Sequence, residues 1–375
     1  MDTPSQTYAA IARDFQRDVW CLFGLPVDNL TMVSTKAVLR ERVNQDGTTV
    51  LSTINVNWVV QSFSDPEFRS AILNSDLVTL DGKPLLWLAK LLGCPMRETV
   101  PGSSLIEELM AEETDKPLTI FLFGGEGNTA ELAMERVNKQ RGGLRAVGAL
   151  NPGFGTVEEM SSEALIDAIN STKPDILLVA LGAKKGTQWI ERNRHQLNAK
   201  IISHLGATIS FLAGTVKRAP RLMQACGLEW AWRIIQEPKL FSRYAGDGLV
   251  ILRFFLPRLP LWWRYRYLYR QFRQEQPNTG VSVRESTEDI LLSFGRNMQS
   301  TATVSFCEIL NNCSFSEKKL VLNFQETEFV DGEFLGWLLF WVLQVKKSGC
   351  KVEIINCTRL APIFKLFGLH QFSTL

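Results

Sequence analysis

Asp81 follows an apolar run, Leu77 to Leu80, and leads into Gly82-Lys83-Pro84. A carboxylate at the end of a strand that opens on a cleft can serve as a general base; its competing role is to cap a helix starting near Pro84. Thr53 and Asn55 end another apolar run and offer a hydroxyl and an amide to the same region, or hydrogen bonds to neighbouring loops. The turn Gly124-Gly125-Glu126-Gly127-Asn128-Thr129-Ala130 fits G-x-G-x-x-G/A from Gly125, between a strand and a helix. Such a turn brings backbone N–H groups close to a phosphate at a helix N-terminus. Dinucleotide redox chemistry would want an acid at the end of the next strand, which instead ends Ala149-Leu150-Asn151. A nucleoside diphosphate remains compatible. Arg218, Arg233, Lys239 and Arg243 are cations that could converge on a diphosphate, since guanidinium groups bind phosphate oxygens in pairs; Glu229 and Glu237 could instead engage them in surface ion pairs.

Elements that would position these residues are visible from about residue 49. Short apolar runs alternate with longer helical patterns, which predicts a parallel α/β sheet. The expected strands are 49–56, 77–80, 118–123, 145–150, 175–181 and 200–205, each apolar on both faces as strands covered by helices should be. Their ends carry Asn55, Asp81, Gly124, Asn151, Gly182 and Gly206, and ligands of open α/β sheets bind beyond the carboxyl ends of the strands. Asp65 with Pro66 signals one helix start, and Thr129 to Gln140 reads as another helix.

The chain has 375 residues, enough for two or three domains at roughly 150 residues each. Apolar residues make up 45% and charged residues 21%, a composition that excludes disorder and a polytopic membrane protein. With 41 basic and 39 acidic residues the net charge is +2, too balanced for a surface devoted to nucleic acid. Seven cysteines without a CxxC pair suggest neither a disulfide framework nor zinc, and fit a reducing cytoplasm. No metal or cofactor is expected. The N-terminus lacks the apolar core of a secretory signal, so the mature protein is expected to begin near Met1.

The residues resemble the WecG/TagA/CpsF glycosyltransferases of bacterial surface-polysaccharide synthesis, from about Trp20 to Tyr244. The resemblance is carried by Phe23-Gly24-Leu25-Pro26-Val27-Asp28, Thr53-Ile54-Asn55, Asp81-Gly82, Val100-Pro101-Gly102, Phe123-Gly124-Gly125, Pro152-Gly153-Phe154, Leu181-Gly182, Arg218-Ala219-Pro220, Gly227-Leu228-Glu229-Trp230 and Glu237-Pro238 with Arg243-Tyr244. It implies a Rossmann-like, mostly parallel domain over 1–247. The implied reaction moves a sugar, N-acetylmannosamine or a related hexose, from a UDP-sugar to a polyprenyl-diphosphate-linked acceptor. Transfer would proceed with inversion and without an obligatory metal, at the cytoplasmic membrane face. By the resemblance Asp81 is the base, Thr53 and Asn55 are cleft-lining, and Arg218, Arg233 and Arg243 meet diphosphate or lipid phosphate. Two departures stand out. Gly186 occupies the place of the family's active-site Gln, with Gln188 two positions on, and Ser210 replaces an Asp. They motivate the alternative of a non-catalytic, membrane-peripheral scaffold.

Between Gly248 and Gln274 the chain holds six arginines and no acid. On a helix, Trp262, Tyr265, Tyr269 and Phe272 share an arc of about 80°. That predicts aromatic rings at the lipid headgroups and cations (Arg253, Arg258, Arg264, Arg266, Arg270) on lipid phosphates, with Trp263 beside them. The competing readings are a helix packed on a core, and single-stranded nucleic acid stacked on the aromatics. A linker ending at Gly280 completes this segment, 248–280. Residues 281–375 resemble a STAS domain, which implies a small α/β fold and a protein partner. Its Asp331 is followed by Gly332 where that family often has a phosphorylatable Ser or Thr.

Overall fold

The computed structural model describes residues 17–274, 280–299, 318–347 and 349–369. The expected start near Met1, most of the linker, Cys307 and Cys313 lie outside the described residues. Contacts divide the chain into two compact units that do not follow chain order. One comprises 30–87 and 97–249; the other joins the N-terminal residues up to 29 and the segment 88–96 to residues from 250 onward.

The elements in chain order begin with a hairpin, β1 (Val19–Leu22) and β2 (Leu25–Asp28), then α1 (Met32–Val43), β3 (Thr49–Ile54), α2 (Val56–Ser64), α3 (Pro66–Leu73), β4 (Leu77–Leu80), α4 (Lys83–Leu91) and α5 (Gly102–Ala111). There follow β5 (Leu118–Gly124), α6 (Thr129–Gln140), β6 (Leu144–Leu150), α7 (Glu163–Ser171), β7 (Ile176–Ala180), α8 (Ala183–Asn193), β8 (Ile201–His204) and α9 (Thr208–Ala213). Three further helices are α10 (Arg221–Ala225), α11 (Glu229–Gln236) and α12 (Leu240–Phe255), and a 3-10 turn leads to α13 (Leu259–Phe272).

Strands β3 to β8 form one six-stranded sheet, wholly parallel, in the order β4-β3-β8-β7-β5-β6. Alternate residues of each strand face opposite sides, so both faces need cover. Leu51, Ile120, Leu122, Leu178 and Ile201 pack with Leu105 and Leu109 of α5, Ala133 and Val137 of α6 and Leu212 of α9. Val50, Phe121, Phe123, Leu177, Val179 and Ile202 pack on the other side with Ile166, Ile169, Trp189 and Ile190 of α7 and α8. The six expected strands are present, with ends one or two residues from the expected ones. The sheet winds outward from its middle, β3 to β4 in one direction and β5 to β6 in the other. The strand ends between these two windings are therefore the place for a ligand crevice.

In the second unit, β9 (Val281–Glu285), β10 (Asp289–Phe294), β11 (Asn297–Met298), β12 (Lys319–Asn323), β13 (Phe329–Val330), α14 (Gly332–Lys347), β14 (Val352–Ile355) and α15 (Ala361–Leu366) follow in order. The main sheet runs β14-β12-β10-β9, parallel except for β9. Helix α14 is apolar on all sides, with Phe334, Leu335, Trp337, Leu338, Phe340 and Trp341 buried, as befits a helix covered all round. A Cβ on its Gly336 would meet the β1 backbone at Cys21 N, 2.5 Å away, so the N-terminal hairpin lies directly on the helix.

The aromatic arc of α13 corrects the sequence reading. Tyr265 and Phe272 are buried, stacked on Phe329 at 5.7 and 5.2 Å, and Tyr265 also meets Phe367. Trp262 donates from its indole to the Leu91 carbonyl, and Arg258 donates to the Phe254 and Lys365 carbonyls. Periodicity correctly marks a face, but what covers it is protein.

In the larger unit, Trp189 is fully buried, donates to the Met160 carbonyl at 2.7 Å and packs on Phe123 at 4.6 Å. Trp189→Ala should cost about 3–5 kcal/mol, read as a lowered thermal midpoint of the α/β unit.

Candidate functional site

Asp81 sits one residue beyond β4, and its backbone N–H donates to the Ile54 carbonyl at 2.7 Å, which sets it beside Asn55 at the end of β3. The parallel register pairs Thr53 with Thr79 and Ile54 with Leu80, so these two adjacent strand ends open on the same edge. Thr53 is buried against the start of α5, where a Cβ on Gly102 would lie 3.2 Å from its hydroxyl oxygen. Asn55 caps α2: its side-chain oxygen accepts from Trp58 N at 3.2 Å. Asn55 is thus a helix cap, a role that uses its side-chain oxygen.

Arg218 reaches the first turn of α5, donating to Ser103 and Ser104 and pairing with Glu107. It shares the Phe211 ring with Arg233, their guanidinium carbons 5.9 and 5.8 Å from the ring centre. Arg233 pairs with Glu237 at 3.4 Å, yet its Nε is buried without a hydrogen-bond partner. Both arginines act on Asp81 and lower its proton affinity. Burial outweighs them: the Asp81 pKa is pushed up to about 7, first by loss of water and second by the Glu229 carboxylate. Asp81, Glu229, Arg218 and Arg233 therefore form one electrostatic cluster. Sequence reasoning weighed Glu229 only as an ion-pair partner; its position two residues after Gly227 was the available signal.

Other expected residues are placed elsewhere or engaged otherwise. Lys239 is exposed, and Arg243 is exposed and lies over Tyr244 at 5.1 Å. Gln188 donates to Glu67 of α3 at 3.0 Å. Gly124 needs its left-handed backbone (φ 107°) and its missing side chain, since a Cβ would stand 2.4 Å from the Ala180 carbonyl oxygen. That close approach joins β5 to β7 and carries the turn through Gly125 and Gly127, whose carbonyl accepts from Asn151. Gly182 has φ 80° and precedes α8, with no side-chain cap.

At Gly186 the expected Gln is replaced by space that another side chain fills. A Cβ there would be 2.0 Å from the ring of His204, at the end of β8. Neither His204 ring nitrogen has a hydrogen-bond partner among the described residues, and burial holds its pKa down to about 4, so the ring is neutral at pH 7. Asp247 of α12 is buried too and accepts from Asn57 of α2. Sequence reasoning singled out neither.

A wholly parallel sheet with this winding and a polar, glycine-rich carboxyl edge defines a Rossmann-like α/β domain. The chain belongs to the glycosyl transferase WecG/TagA/CpsF family, whose sequence profile matches residues 20–266, and is a glycosyltransferase. It is similar to proteins named N-acetylglucosaminyldiphosphoundecaprenol N-acetyl-beta-D-mannosaminyltransferase. The Bacillus spizizenii protein is 25% identical over 201 residues, covering 54% of this chain and 76% of the relative. The Bacillus subtilis protein is 23% identical over 223 residues, covering 59% and 85%. One from Staphylococcus aureus is 22% identical over 224 residues, covering 59% and 86%.

A carboxyl whose pKa is about 7 when folded and 3.8 when unfolded binds more protons in the native state between those values. Stability is then greatest below about pH 4 for this group, falls as pH rises, and the loss is complete above about pH 7. Asp81→Asn should accordingly be more stable than the unaltered protein at pH 8, by about 2–4 kcal/mol, with the difference vanishing near pH 4. Thermal unfolding at the two pH values checks this.

Proposed function

We propose that this chain transfers an N-acetylmannosamine-type sugar or a related hexose from a UDP-sugar to an acceptor sugar carried on a polyprenyl diphosphate. The observation that carries the reading is the Asp81 carboxyl, with a proton affinity matched to neutral pH, beside two arginines at the crevice edge of the sheet. Asp81 as carboxylate accepts the proton of the acceptor hydroxyl while the hydroxyl oxygen forms a bond to the anomeric carbon. The bond from that carbon to the diphosphate oxygen breaks, its electrons leave with UDP, and the configuration inverts. Arg218 and Arg233 stabilise the departing diphosphate, with backbone N–H groups of the turn 124–127 as further donors. The names of the similar proteins support both the transferred sugar and the lipid-borne acceptor.

The protein is further proposed to work at a membrane surface on the cytoplasmic side. No helix among the described residues is long and apolar enough to cross a membrane. Support for peripheral contact comes from the side of the helices opposite the buried aromatic arc. There Leu252, Leu256, Leu259, Trp263 and Tyr267 are all exposed, at spacings of three and four residues that align them on one face. Arg253, Arg264 and Arg270 are exposed beside them, while Arg266 is half-buried. Apolar side chains enter the headgroup region and arginines meet lipid phosphates. Residues 281–375 are proposed to be a STAS-like partner-binding domain, supported by the β9-to-β14 sheet and its covering helices.

Asp81→Asn should lower sugar transfer by 10²- to 10⁴-fold, measured as UDP released in the presence of acceptor. A loss below tenfold would argue for another base. Trp263→Glu combined with Leu256→Glu should cut sedimentation with phosphatidylglycerol vesicles by tenfold or more, whereas Trp262→Phe should leave it unchanged.

A further inference from the structure

We propose that Glu229 is the positioning residue that strengthens Asp81 as a base, acting on its charge from the first turn of α11 without touching the reacting atoms. This inference deepens the reading of Asp81 as the base and rests on it.

The geometry begins at Gly227. With φ at 72°, it has no room for a side chain: a Cβ would meet Lys83 Cβ at 2.8 Å and Trp87 at 3.1 Å. The turn between α10 and α11 is therefore pressed against the first turns of α4, the helix that starts two residues after Asp81. Glu229 follows by two residues. On α11 it lies one turn before Arg233, at the i,i+4 spacing that places two side chains on the same face. Arg233 faces the Phe211 ring, and both it and Glu229 act on the charge of Asp81.

An acid in the first turn of a helix is favoured by the helix dipole wherever it points. That accounts for the residue type, but not for the docking of this turn beside Asp81. Glu237, at the other end of α11, shows the contrast: it pairs with Arg233, whereas Glu229 forms no ion pair among the described residues. Its charge acts on Asp81, whose proton affinity it raises. The charged groups acting on Asp81 are Glu229 and Arg233 from α11 and Arg218 from the segment before α10; Lys83 borders the turn from α4.

The cluster holds two carboxylates and two guanidinium groups. A diphosphate drawing on the two arginines would leave the carboxylates less compensated, so donor binding would raise the proton affinity of Asp81 at the moment it must accept a proton.

The test is the titration of Asp81 in the full-length, ligand-free protein, followed by carbon-13 NMR of aspartate carboxyls and assigned by loss of the resonance in Asp81→Asn. In Glu229→Gln the midpoint should fall by about one pH unit, and in Glu229→Asp, which keeps the charge, it should stay within about 0.3 unit. The acid limb of kcat/KM should move down with it, so that at pH 6 Glu229→Gln keeps several-fold more of its own plateau activity than the unaltered enzyme. An unmoved or raised midpoint in Glu229→Gln overturns the proposal. If the midpoint falls but Asp81→Asn still transfers sugar, the pairing stands and the base assignment fails. If Asp81→Asn is inactive and the midpoint does not move, the base assignment stands and the role of Glu229 fails.

Discussion

The site rests on an opposition between desolvation and guanidinium charge at a single carboxyl group. Burial at the end of β4 disfavours the Asp81 anion, Glu229 disfavours it further, and Arg218 and Arg233 restore part of the loss. Were burial to act without the arginines, the group would stay protonated at neutral pH and accept nothing. Were the arginines to dominate, it would be a weak base like any surface carboxylate. The balance near pH 7 gives a group that is substantially ionised and still able to take a proton.

That balance is built by packing far from the carboxyl. The parallel register of β3 and β4 brings Thr53, Asn55 and Asp81 to one edge, and both faces of the sheet are closed by separate apolar layers. Arg218 is anchored on the first turn of α5, whose Gly102 touches Thr53, so one helix start fixes a cation and a strand end together. Gly227 allows α11 to come close enough for Arg233 and Glu229 to act. Helices and strand ends thus hold the charges, which would limit the reorganisation needed under the proposal that a diphosphate binds here.

The α/β sheet was legible in the sequence because buried parallel strands are short, apolar on both faces and separated by helical patterns. Asp81 stood out as a candidate because an acid directly after such a strand can face a ligand cleft, with capping of the next helix as its competing use. The arc of Trp262, Tyr265, Tyr269 and Phe272 was misread for a physical reason: amphipathic spacing identifies a face that avoids water, and Phe329 and Phe367 avoid water as well as lipid does. Glu229 and His204 were not legible, since their surroundings come from residues distant in the chain. The Gly186 departure acquires meaning only beside the His204 ring that fills its space.

A crystal structure with UDP bound tests the central claim most directly. The account predicts diphosphate oxygens about 2.7–3.0 Å from the guanidinium nitrogens of Arg218 and Arg233, with the Asp81 carboxyl facing the space beyond the diphosphate where the sugar would lie. Diphosphate held at another edge of the sheet, with Asp81 closed off from it, would contradict the account.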